Sequence, residues 1–100
     1  QTGRSILPTI FEGFISQMSD KLNDLENNFI ADDPVALYKT AHAIKSMSAN
    51  MGAEKVRIFG EKIEAIGRTG STQGADQDLV QLKSSYDEFV LLFEAELGKQ

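Results

Sequence analysis

Cysteine is absent from this chain, which removes disulfides, thiolate metal sites and a cysteine nucleophile at once. The absence agrees with a reducing compartment. Proline occurs only twice and histidine once. Positive charge is in deficit, with ten Lys and Arg against fifteen Asp and Glu and a formal net charge of −5. So acidic a chain is a poor general binder of phosphate backbones, and nucleic acid is not expected as a partner. No apolar run approaches the roughly 20 residues of a membrane span, and no secretory signal pattern is present. The expected location is the cytoplasm. The first residue is Gln1 rather than Met, which reads as a processed end or a piece of a larger protein.

What is present is helical periodicity, with no alternating strand pattern. One hundred residues suffice for one domain and one core. Residues 1–8 read as an N-terminal extension or linker and residues 9–98 as the domain. A first helix is expected over 9–30, with Pro8 near its start and Phe11, Phe14, Met18, Leu22, Leu25 and Phe29 at spacings of three or four. Asp33 followed by Pro34 reads as an N-cap and first helical residue, opening a second helix that Gly52 stops. Its apolar stripe is Leu37, Ala41, Ile44, Ser48 and Met51. A third helix over 53–66 turns Val56, Phe59, Ile63 and Ile66 inward. A segment rich in Gly, Ser and Thr follows at 69–75 and reads as a flexible loop. A fourth helix over 76–97 carries Leu79, Leu82, Tyr86, Phe89, Phe93 and Leu97. The expected fold class is all-α: an antiparallel up-down four-helix bundle with a short N-terminal extension. One core should satisfy all four stripes, so a monomer is expected.

The lone histidine, His42, lies within the second helix. At about 100° per residue the stripe of that helix clusters within roughly 40° of one direction, and His42 falls about 140° away. It therefore faces solvent or the rim of the core. Lys45 and Ser46 lie beside it at i+3 and i+4, and Ala49 at i+7. With Ala43 and Ala53 also small, the ring sits on a face a bulky partner can reach. A neutral imidazole is a competent nucleophile near pH 7. Lys45 could offset the negative charge of a phosphoryl group arriving there. Gly52, one turn beyond Ala49, gives clearance to a partner or to the next helix. Asn50 is expected to tie the turn near Gly52. Glu61, Lys62 and Glu64 read as solvated surface charges.

The stretch His42-Ala43-Ile44-Lys45-Ser46-Met47-Ser48-Ala49-Asn50-Met51-Gly52 resembles the signature of histidine-containing phosphotransfer (HPt) domains. In that signature a His is followed by a Lys three residues on, a small residue, and a small or polar run ending in Asn, an apolar residue and Gly. Ser46 stands where glycine is commonest. The likeness extends over residues 11–97. It implies reversible phosphorylation of His42, usually on Nε2, with Lys45 as the charge-stabilising neighbour. It implies partners of the receiver type, which supply the aspartates and a bound Mg²⁺, so no cofactor of its own is expected. The docking patch is expected around Ala43, Ser46, Ala49, Gly52 and Ala53. Glu64 falls near a position where many members carry a polar side chain, and an acid beside a phosphoryl group argues against a direct role. Arg68, one turn later, is the alternative auxiliary cation.

Three rival readings are weaker. An autophosphorylating kinase needs a nucleotide site, and no P-loop or other Gly-rich site is present. Ala43 also stands where the dimerising helix of such kinases carries an acid. A di-metal bundle needs repeated Glu-x-x-His pairs, and Lys39 lies three before His42. A haem ligated by His42 and a methionine would need those residues on one face, and the helical phase separates them. A helical adaptor without chemistry remains the alternative, and it would tolerate His42→Gln.

Overall fold

A computed structural model describes residues 2–99, with side chains from Ile6 onward. Four helices follow one another: α1 (Thr2–Ile30), α2 (Pro34–Met51), α3 (Glu54–Arg68) and α4 (Ala75–Leu97). Each packs against its neighbour in the chain, and α4 returns to α1. The described residues contain no strand.

The ends of α2 follow from its sequence. Asp33 caps the start, its carboxylate accepting from the Ala36 N–H at 3.1 Å, and Pro34 fills the first turn, where no N–H is needed. Gly52 closes the helix at φ 75°, in the left-handed region. Its N–H donates to the Ala49 carbonyl and the Ala53 N–H to that of Ser48, the paired bonds of a Schellman turn. The turn between α1 and α2 has the same pattern, with Asp32 in the left-handed position at φ 53°. Asp32 also accepts a hydrogen bond from the Thr72 hydroxyl. This tie anchors the α3–α4 connection, and Thr72 is buried. The segment expected to be a flexible loop is therefore pinned to the neighbouring α1–α2 turn.

The expected stripes form the core. Phe14, Met18 and Leu25 of α1 meet Leu37, Ala41 and Ile44 of α2, Val56 and Ile63 of α3, and Leu79, Leu82 and Tyr86 of α4. Aromatic rings close the α1–α4 end, where Phe11 stacks on Phe93 at 4.5 Å and Phe14 meets Phe89 edge-on. One boundary differs from expectation. α1 begins at Thr2 and carries Pro8 inside it, so the segment read as a linker is helical over residues 2–8. Proline tolerates the position at the loss of one backbone hydrogen bond.

Two glycines set how closely α3 lies on α2. A Cβ on Gly67 would stand 2.8 Å from the Pro34 carbonyl oxygen and 2.8 Å from the Tyr38 Cβ. A Cβ on Gly60 would meet the Lys45 backbone nitrogen at 3.4 Å. The backbones of α2 and α3 thus come together along the stretch of α2 that carries His42.

Candidate functional site

That close approach brings one carboxylate to His42. Glu64 lies on the same face of α3 as Gly60 and Gly67, one turn from each. It is only 6% exposed. Its Oε2 lies 2.9 Å from His42 Nδ1. The Arg68 guanidinium donates to the same oxygen through Nε at 3.2 Å and Nη2 at 2.9 Å. Lys45 donates from Nζ to the other oxygen, Oε1, at 2.8 Å. Arg68 is held in turn over the Tyr38 ring, 4.6 Å from its centroid. A cation lying over an aromatic face is attracted by it.

Burial pushes the Glu64 pKa up, but hydrogen bonds from Lys45, Arg68 and His42 outweigh it and hold the carboxyl at about 2. Glu64 is therefore an anion near neutral pH, able only to accept. Its bond to His42 requires the proton to sit on Nδ1. In the neutral ring Nε2 then carries a free lone pair and, being the other ring nitrogen, is turned away from Glu64. The His42 side chain is 55% exposed, so the ring stands at the rim of the core as its helical phase required.

Several expectations change here. Glu64 is not a solvated surface charge but the buried centre of a cluster, whereas Glu61 and Lys62 are exposed. Lys45 is half-buried and its ammonium is paired with Glu64 as well as lying beside His42. Arg68 joins the cluster through Glu64. Ala53 is 2% exposed and belongs to the core, so it is no part of an accessible patch. Gly52 is exposed and serves as a helix stop, and the clearance between helices comes from Gly60 and Gly67 instead. The turn that Asn50 was expected to tie is closed by backbone groups. Ser46 and Ala49 are exposed and Ala43 half-buried, leaving a small-residue surface next to the ring. No group of three or more His, Asp or Glu among the described residues could hold a metal ion. Glu64 had one sequence signal: an acid one turn from each of two glycines, at 60, 64 and 67, on a helix whose other inward residues are apolar.

The sequence profile of the Hpt domain matches residues 9–90. The chain belongs to the Hpt domain family. The HptB histidine-containing phosphotransfer protein of Pseudomonas aeruginosa PAO1 superposes with a TM-score of 0.88 at 25% identity, over 99% of this chain and 90% of that one. The phosphorelay protein LuxU of Vibrio vulnificus is 28% identical over 82 residues, 82% of this chain and 71% of that protein. The phosphorelay intermediate protein rdeA of Dictyostelium discoideum is 30% identical over 79 residues, 79% of this chain. This Hpt domain spans about a third of that protein's length, 31%. No helix among its described residues is long and apolar enough to cross a membrane.

Proposed function

We propose that this Hpt domain is a phosphorelay intermediate that accepts a phosphoryl group on Nε2 of His42 from a receiver-domain aspartate and passes it to another receiver. The observation that carries the reading is the bond from His42 Nδ1 to Glu64 Oε2, which leaves Nε2 as the ring's free nucleophile. Attack of Nε2 on phosphorus displaces the aspartate carboxylate, and in-line transfer of this kind depends on position and electrostatics. Two cations, Lys45 and Arg68, face one anion, Glu64, so the cluster offers surplus positive charge to the incoming group. The exposed surface of Ser46 and Ala49 leaves room for a partner's loop. The relatives' phosphorelay roles support receiver domains as partners, with any Mg²⁺ brought by the receiver to offset charge on the phosphoryl oxygens. A contact of this kind is typically small and transient, in keeping with a monomeric carrier.

The test is transfer from a phosphorylated receiver domain carrying radiolabel. The natural sequence should take up acid-labile, base-stable label, and His42→Gln should take up none. Normal labelling of His42→Gln would overturn the site. Failure of the natural sequence to accept label from any receiver offered would overturn the function.

A further inference from the structure

The same carboxylate that orients the free ring also faces it once it is phosphorylated, and there the proton on Nδ1 decides what kind of donor it is. Attack through Nε2 forms the N–P bond and breaks the P–O bond to aspartate, whose electron pair stays on the leaving carboxylate. The ring proton on Nδ1 has not moved, so the product is a phosphoimidazolium with one positive charge. From that state the reverse step is easy. The N–P electron pair returns to Nε2, and a neutral imidazole leaves. If Nδ1 loses its proton to solvent, the group that must leave is an imidazolate, a far stronger base and a poor leaving group.

We propose that Glu64 keeps the proton on Nδ1 of phosphorylated His42, so that the carrier remains a phosphoimidazolium ready to give up its group. The inference rests on the reading of His42 Nε2 as the carrier atom. The geometry supplies the means: Oε2 lies 2.9 Å from Nδ1 on a buried side chain that has little freedom to turn away. An opposite charge at that distance favours the cationic ring. Lys45 and Arg68 have a second effect. By occupying Oε1 and sharing Oε2 they make Glu64 a feeble base, so it holds the ring proton without removing it.

The charged groups at the ring are few. α2 supplies Lys45 at i+3 and the exposed Lys39 at i−3, and α3 supplies Glu64 and Arg68. α1 meets α2 with the uncharged Asn28, bonded to Thr40. α4 meets α3 through Glu88 and Lys55 at the opposite end of that helix. Among the described residues no ion pair from α1 or α4 reaches His42 or Glu64.

The experiment phosphorylates the protein with phosphoramidate, which needs no receiver, and follows the ring by ³¹P and ¹⁵N NMR across pH. Glu64→Gln keeps the size and the acceptor oxygen but removes the charge. The ring should lose its Nδ1 proton at a pH lower by about one unit or more in Glu64→Gln than in the natural sequence. Arg68→Ala removes an exposed cation, leaves Glu64 the stronger acceptor, and should move the midpoint upward; it decides the question if Glu64→Gln fails to fold. In transfer to a fresh receiver, the ratio of Glu64→Gln rate to natural rate should fall by up to about tenfold per pH unit between the two midpoints. Coincident titrations in all three proteins would overturn the inference while leaving His42 as carrier. Absence of transfer from any receiver would instead overturn the carrier reading.

Discussion

Glu64 accepts hydrogen bonds from a lysine, an arginine and a histidine while almost wholly withdrawn from water. Its folded pKa of about 2 lies below the ordinary glutamate value of 4.5. A depressed carboxyl stabilises the fold above its unfolded pKa and loses that contribution as pH falls through the folded value. The difference corresponds to about 3 kcal/mol. Urea unfolding should therefore show stability dropping between about pH 4.5 and pH 2, and Glu64→Gln should flatten that part of the profile. An unchanged acid limb in Glu64→Gln would show that Glu64 is not held ionised. Ser48 presents the opposite situation. Its hydroxyl is buried in the apolar stripe of α2 with no hydrogen-bond partner. Removing an unsatisfied buried group relieves its desolvation cost, so Ser48→Ala is expected to stabilise the fold by about 1 kcal/mol, read from the denaturation midpoint.

At the scale of elements, the site exists because α2 and α3 lie unusually close. Gly67→Ala would drive a methyl into the backbone of Pro34 and the Cβ of Tyr38, and neither can swing aside as a side-chain tip could. The helices must part, at a cost of about 1–3 kcal/mol. Because parting also moves Glu64 away from His42, phosphotransfer should slow beyond what the stability loss explains, measured at a temperature where the variant is fully folded. Equal transfer rates would show that the His42–Glu64 bond does not depend on this contact. The same comparison explains what the chain makes legible. The exposure of His42, its neighbour Lys45 and the caps of α2 follow from spacing within one helix, and all are read from the sequence. Glu64 is not read that way, because its burial depends on how α3 is phased and seated against α2. That relation between helices is set by Gly60 and Gly67, whose meaning emerges only when the two helices are placed together.

At the scale of the whole molecule, the bundle is long and narrow, 48 × 18 × 18 Å, because α1 and α4 are longer than α2 and α3. A 29-residue α1 alone is about 43 Å long. The start of α1 is not legible in the sequence because proline is commonest in a first turn, whereas here Pro8 lies about two turns in. Ile6, Leu7 and Ile10 are exposed, and the core begins at Phe11. A chain beginning at Thr9 should therefore unfold within about 1 kcal/mol of the full sequence and accept phosphoryl groups at the same rate. A larger loss would make the first turns part of the folding unit. The rest of the architecture presents one ring at the rim of the core with its Nδ1 occupied from within, and that is the claim to test most directly. Nitrogen-15 NMR of the domain phosphorylated by a receiver should place the phosphoryl group on His42 Nε2, with a proton on Nδ1. Phosphorus bonded to Nδ1, or to any residue other than His42, would contradict the account.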